Sequence, residues 1–276
     1  MTSREPAFGV LLTVAYDGTP FSGFARQREA RTIAGELDGA VRAIDEHASL
    51  VRGVSRTDAG VHSLGQRVSF DTTRDIVGRG WALALARHLP EEISITRAAR
   101  VAVGFDPRSV ALRKTYRYAI LESQVRDPFL GRTSWRVSER LNQPLMAAEA
   151  QALVGVHDFR AFRAAADPRE NTERHILRVE LCRAPDDPRL LWLEVTGNRF
   201  LYRMMRIIAG ALVDVGRGRL EPGAVGRALG SGSREDLGVT APPEGLCLME
   251  VVLSEEGADA WPDQFSRAID ESRVVT

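Results

Sequence analysis

Asp58 stands in the run Ser55-Arg56-Thr57-Asp58-Ala59-Gly60-Val61-His62, a single carboxylate between an arginine and a glycine turn. A carboxylate placed this way is presented rather than buried, and could act as a nucleophile or a base. The plain structural alternative is a tight turn with Asp58 as a local cap, because Asp hydrogen-bonds its own backbone and Gly accepts positive φ. A second set is Arg199, Arg203 and Arg206, which fall at i, i+4 and i+7 beside a predicted helix over Phe200 to Val215. They lie opposite the apolar stripe Leu201, Met205, Ile208, Leu212 and Val215. No acidic residue lies three or four positions from Arg203 or Arg206, so the anion they face must come from elsewhere, as phosphate or as a carboxylate of the other half. Tyr116 and Tyr118 sit two apart on a predicted strand and share a face, with Thr115 and Arg117 on the other.

Other chemistries find little support. His62 and His157 have no second His or Cys at ligand spacing, so no metal is expected. Gly216-x-Gly218 follows a helix, whereas a dinucleotide fingerprint must follow a strand and open a helix, so no nucleotide cofactor is expected. Glycoside hydrolysis needs a carboxylate pair, and the acidic neighbours that follow Asp58, Asp71 and Asp75, lie beyond a strand without a motif.

These residues require a scaffold of strands and single helices. An apolar run from Gly9 to Tyr16 closes at Asp17-Gly18, and Thr32 then opens a helix with Ile33, Leu37, Val41 and Ile44 on one face. Further strands are expected at Val68–Phe70 and Ile93–Val103, and a helix at Trp81–His88 stopping before Pro90. The second half repeats the theme, with strands at Lys114–Leu121, Ile176–Cys182, Leu190–Thr196 and Leu246–Leu253 and a helix at Asn142–Leu153. Ala164–Arg174 and Gly230–Glu244 read as exposed loops. The class is α+β, in two sheet-and-helix subdomains with mainly antiparallel sheets, divided as 1–108 and 109–276. The polar tail after Gly257 carries a lone Trp261 and no motif.

Composition sets bounds. The chain has 276 residues, enough for two modest domains, and 37 basic residues balance 37 acidic ones. A simple nucleic-acid binder usually shows a basic excess, so any phosphate contact must come from local clusters. Lys114 is the only lysine. Arginine favours bidentate phosphate contacts, and a GC-rich coding bias gives the same enrichment. No apolar run approaches a membrane span and no signal segment opens the chain, so a soluble, cytoplasmic protein is expected. Cys182 and Cys247 read as free, partly buried thiols.

The motifs together resemble the TruA family of tRNA pseudouridine synthases. The Asp58 run matches the family's active-site motif. Val14-Ala15-Tyr16-Asp17-Gly18-Thr19 with Phe21 to Gln27 resembles its opening strand and loop, and Lys114 to Tyr118 its central strand. Phe159-Arg160-Ala161-Phe162, Gly197 to Gly210, Val215 to Gly218 and Ala241 to Leu246 follow in family order, so the resemblance covers residues 8–253. It implies the pseudouridine synthase fold, with sheets meeting in a catalytic cleft, and a cofactor-free isomerisation of uridine in the tRNA anticodon stem-loop at positions 38, 39 and 40. It further implies Asp58 as catalytic carboxylate and Arg206 as its ion partner. Tyr116 would pack on the base and remove the C5 proton, and Arg56 would fill the stack left by the extruded uridine. Arg199 and Arg203 would bind substrate, and a homodimer would hold the tRNA. The chain departs from the family at Phe24 and Ala25, where tryptophan and glutamine are usual, and at Phe105-Asp106-Pro107-Arg108, where Phe-His-Ala-Arg is usual. It departs again at Arg203 and Ile207, where histidine and asparagine are usual.

Overall fold

The computed structural model describes residues 5–261 and has α+β architecture. Its elements are strands β1 (Phe8–Tyr16), β2 (Arg52–Gly53), β3 (His62–Thr72), β4 (Ile93–Val101), β5 (Ala111–Glu122), β6 (Trp135–Val137), β7 (Gly155–Asp158), β8 (Glu173–Arg183), β9 (Leu190–Gly197), β10 (Leu246–Leu253) and β11 (Ala258–Trp261). The helices are α1 (Ile33–Ile44), α2 (Gly78–Leu85), α3 (Gln143–Gln151), α4 (Met204–Gly216) and α5 (Ala224–Ser231).

The chain divides into two compact units. The first runs through Leu112 and resumes at Val251, and the second spans Arg113–Glu250. A division at 108/109 would leave the C-terminal segment in the second unit. The segment returns to the first instead, because β11 pairs with β4 and Glu256 forms ion pairs with Arg67 and with Arg97, the latter at 3.0 Å. The chain makes this return within β10.

In the first unit the strand order is β11-β4-β1-β3, with β2 on β3, all antiparallel. Alternate residues of β1, Val10, Leu12, Val14 and Tyr16, join Ile33, Leu37 and Val41 of α1 and Trp81 and Leu85 of α2 in one core. Helix α1 starts where the sequence places it, since Thr32 Oγ1 accepts the Gly35 N–H at 3.2 Å. Helix α2 starts three residues earlier than its apolar spacing suggests, at Gly78, with no side-chain cap to announce it. Strand β3 is far longer than Val68–Phe70 and is buried at every position but Leu64. Burial on both sides hides the polar alternation that marks a half-exposed strand.

In the second unit the order is β5-β9-β8-β7, antiparallel, with the short β6 parallel to β5. Strand β5 alternates as its sequence requires. Tyr116, Tyr118 and Ile120 are buried on one face, while Thr115 bonds Thr196 at 2.9 Å and Arg117 stacks on Trp192 on the other. Helix α5 has no polar cap in sequence. Its N-terminus is held by the buried Glu149 of α3, whose carboxylate accepts from Gly223 N and from Val225 N at 3.1 Å. Cys182 is exposed on β8 rather than partly buried, and Cys247 is half-buried.

Tyr118 is fully buried, donates its hydroxyl to the Pro242 carbonyl at 2.7 Å and packs edge-on against Trp135. Burial, reinforced by Glu244 and opposed by Arg206, pushes its phenol well above the usual range. Replacing Tyr118 with Phe removes its hydrogen bond to the half-buried Pro242 carbonyl, at a cost of about 0.5–1.5 kcal/mol. Urea unfolding should show that loss with an unchanged m-value.

Candidate functional site

Asp58 lies half-buried on the loop between β2 and β3, and that loop is tied at Thr57 and Gly60 to the strand and loop that open the chain. Tyr16 Oη bonds Thr57 Oγ1 at 2.8 Å, and Phe24 N donates to Thr57 O at 3.1 Å. Gly60 N donates to Phe21 O at 3.3 Å, and Val61 N turns back onto Asp58 O at 3.2 Å. The turn at Asp58 that the sequence allowed is therefore present, with Gly60 at φ 77°. The opening loop approaches so closely that side chains are excluded. A Cβ on Gly23 would lie 2.8 Å from Thr57 O, and a Cβ on Gly18 would collide with Val61 O.

The polar base of this loop went unremarked in the sequence. The Gly18 amide lies 3.1 Å from His62 Nδ1. Asp17 Oδ1 lies 3.1 Å from the same nitrogen and also receives the Thr19 amide and hydroxyl, at 2.9 and 2.6 Å. Asp17, rather than Asp71 or Asp75, is the acidic residue tied to the Asp58 loop. Asp71 is committed to Arg52 at 2.8 Å and to the Gly104 amide at 2.9 Å, and Asp75 to Arg100. Gln66, fully buried on β3, holds both backbone groups of Ser55. Arg56 is exposed and, among the described residues, makes no ion pair or carbonyl bond.

The departures in this unit are absorbed locally. Phe24 is buried with its ring against Gly53, where a Cβ would overlap it. Ala25 is half-buried, and Asp106 caps a turn through Arg108 N at 2.9 Å with Pro107 buried beside it.

In the second unit Tyr116 is buried and meets Phe200 edge-on, with ring centroids 4.9 Å apart. The expected helix over Phe200–Val215 does not begin at Phe200. Helix α4 begins at Met204, after Arg203 at φ 60°, ψ 9°. Arg199, Arg203 and Arg206 therefore share no helical face, because only Arg206 is within the helix. The cause is competition for the backbone: residues 200–202 bond to the loop before β8 instead of to a helical turn. Ala164 N donates to Tyr202 O at 3.0 Å, Tyr202 N to Asp167 Oδ2 at 2.7 Å, and Arg169 Nη1 to Phe200 O at 2.9 Å. Ala164–Arg174 is accordingly not a wholly exposed loop, since Asp167, Thr172 and Arg174 are buried.

The left-handed backbone at Arg203 is uncommon for a side-chain-bearing residue and is more readily adopted by histidine or asparagine. Its guanidinium lies 5.1 Å from the Tyr202 ring centroid, and the residue is exposed, as is Arg199. Arg206 is half-buried, with Nε donating to Ala241 O at 2.7 Å while Ala241 N returns to Arg206 O at 2.9 Å. Ile207 lies in the core, in keeping with a helix buried almost all round.

Comparison with known proteins bears on both units. A family model described as tRNA pseudouridine synthase matches residues 149–252. The tRNA pseudouridine synthase A of Moorella thermoacetica is 40% identical over 242 residues, covering 87% of this chain and 97% of its own. That of Geotalea daltonii is 38% identical over 242 residues, covering 88% and 98%. The chain belongs to the tRNA pseudouridine synthase A family. Among solved structures, an archaeal box H/ACA Nop10–Cbf5 complex is similar at a TM-score of 0.35 and 12% identity, and this chain spans about half of that chain, 48%. The Asp58, Tyr116 and Arg206 stretches fall within the region shared with the synthase A relatives. Among the described residues no helix is long and apolar enough to cross a membrane.

Asp167 organises the approach to α4 and had no signal in the sequence beyond a charged, turn-rich stretch. Burial raises its carboxyl pKa, but bonds from Arg169 and from the Tyr202 and Arg169 amides outweigh this and hold it at about 2. A folded-state pKa below the unfolded value of about 3.9 stabilises the protein above that value, and the stabilisation is lost as pH falls towards 2. Asp167→Asn should lower stability at pH 7 by about 1–3 kcal/mol. Thermal melts between pH 5 and 2 should fall less steeply in the variant than in the wild type, because the variant has no carboxyl to protonate.

Proposed function

We propose that this protein isomerises uridine to pseudouridine in the anticodon stem-loop of tRNA, at positions 38, 39 and 40, with Asp58 as the catalytic carboxylate. Membership of the synthase A family carries the reaction class. The observation that carries the residue is the Asp58 loop, a half-buried carboxylate on backbone tied by several tertiary hydrogen bonds. Such rigidity is what a reacting group needs, since misplacement by about 1 Å can cost a hundredfold in rate.

The reaction breaks the N1–C1′ bond, turns the uracil and joins C5 to C1′, with the C5 proton leaving and N1 gaining one. No electron or group is exchanged with a second molecule. Asp58 attacks C1′ of the ribose or C6 of the base, or removes the C2′ proton, and each route needs the ionised carboxylate. Burial against a uracil ring opposes that charge, and a guanidinium favours it, which is the role assigned to Arg206. Its side chain is held by the Nε bond to the Ala241 carbonyl. Tyr116, steadied by the Phe200 ring, packs on the base and takes the C5 proton. The exposed Arg199 and Arg203 meet backbone phosphate, where bidentate guanidinium contacts are favoured.

The target base must leave its stack, which costs a few kcal/mol. Arg56, exposed two residues before Asp58, fills the vacated space. The tRNA is held by a homodimer in the cytoplasm.

Asp58→Asn tests the assignment directly. Tritium release from C5-labelled uridine in tRNA should fall by more than about a thousandfold. Affinity for tRNA should hold or rise slightly, since the change removes a negative charge near phosphate. Release within tenfold of wild type would remove Asp58 from the reaction. For Arg56→Ala, single-turnover rates should fall more on a fully paired stem than on the same stem with a mismatch at the target, where extrusion costs less. Equal slowing on both would mean that Arg56 only shapes the loop.

A further inference from the structure

Strands β2 and β3 form a short antiparallel ladder in which Arg52 faces Ser69 and Gly53 faces Val68, followed by Val54 N donating to Arg67 O at 3.0 Å. The next pair in this register is Ser55 with Gln66. No backbone bond forms there, because bonded pairs alternate in an antiparallel ladder: Arg67 turns its carbonyl to Val54, so the N–H and C=O of Gln66 turn the other way, towards β1. The Gln66 side chain takes its place. Ser55 N donates to Oε1 at 3.1 Å, and Nε2 donates to Ser55 O at 2.7 Å. A carboxamide has the donor and acceptor of a peptide group, so it satisfies both backbone groups of Ser55 where the main chain leaves the sheet. Gln66 is fully buried, and Ser55 is nearly so. Water therefore cannot readily substitute for either bond.

Three residues after Ser55 comes Asp58. We infer that Gln66 is a positioning residue for the catalytic carboxylate, its side-chain amide acting as a surrogate strand that fixes the point where the Asp58 loop departs from the sheet. The inference rests on the assignment of Asp58 proposed above. It explains why a polar, hydrogen-bonding side chain occupies the interior of a strand whose neighbours Val68 and Phe70 are fully buried and apolar.

Two variants separate positioning from bulk. Gln66→Met keeps approximate length and volume but removes both bonds. Gln66→Glu keeps shape and makes the second bond conditional: the protonated acid donates to Ser55 O and accepts from Ser55 N, whereas the carboxylate loses the donor and places charge against a carbonyl. Burial raises the pKa of such an acid, bringing its titration towards neutral pH. Single-turnover rates, KM for tRNA and tRNA affinity would be measured between pH 5.5 and 8.5, with wild type at every pH to cancel any titration of Asp17, Asp58 and His62.

The expected result for Gln66→Met is a rate lower by about tenfold to a hundredfold at all pH values, with KM and affinity within about threefold. For Gln66→Glu the rate relative to wild type should fall as pH rises. A Gln66→Met rate within threefold of wild type, or a flat relative profile for Gln66→Glu, would overturn the inference. Should Gln66→Met fail to fold, the Gln66→Glu profile decides alone. Asp58→Asn run in parallel separates the two claims. An inactive Asp58→Asn beside a fully active Gln66→Met leaves the nucleophile in place and removes the positioning role, whereas an active Asp58→Asn removes both.

Discussion

The placement of Asp58 depends on one constraint: a loop must leave a buried sheet without leaving its polar backbone unsatisfied. A strand that departs from its ladder exposes N–H and C=O groups, and in a buried setting each unpaired group costs free energy comparable to a lost hydrogen bond. The Asp58 loop meets this cost with substitutes for strand pairing. Gln66 serves Ser55, the Phe21 and Phe24 backbone serves Gly60 and Thr57, and the Tyr16 hydroxyl holds the Thr57 side chain. Because these substitutes come from β1, β3 and the loop after β1, the Asp58 carboxylate inherits the rigidity of the first unit's sheet. Glycine at positions 18 and 23 is a consequence of that docking, since any larger residue would push the two loops apart.

The second unit solves the same problem at a helix. The first N–H groups of a helix have no partners within it, and side chains or neighbouring loops must supply them. Helix α4 has no side-chain N-cap. The stretch before it is instead anchored by Asp167, Arg169 and Ala164, and the chain enters the helix through a left-handed Arg203. That arrangement separates the arginines. Arg206 is fixed by Ala241 inside the helix, whereas Arg199 and Arg203 stay on exposed backbone outside it. Two kinds of arginine result from one short stretch, one immobilised and two free to reach solvent.

Much of this was legible in sequence where local chemistry decides local structure. Thr32 announced α1, the alternation of β5 put Tyr116 and Tyr118 on one face, and Asp58 with Gly60 announced the turn. What local chemistry could not convey was competition. The periodicity of residues 200–215 satisfies a helix, yet the Phe200 and Tyr202 carbonyls that a first helical turn would use accept instead from Arg169 and from the Ala164 amide, groups far back in the chain. Glu149 caps α5 from 76 positions before Val225, so no pattern within α5 itself could reveal its start. The division into units follows the same rule: the segment from Val251 reads as a continuation of the second half and returns to the first through strand pairing and the Glu256 ion pairs.

By itself, the sequence determined the class of the fold, most of its helices and strands, and the turn motif that carries Asp58, the carboxylate proposed as reactive. These depend on spacing and on side-chain types, which are one-dimensional properties. Tertiary structure alone decided what holds that carboxylate in place, which arginines are immobilised and which buried acids are structural. Each of those depends on a hydrogen bond between groups far apart in the chain, and burial, by removing water as an alternative partner, is what makes such bonds decisive.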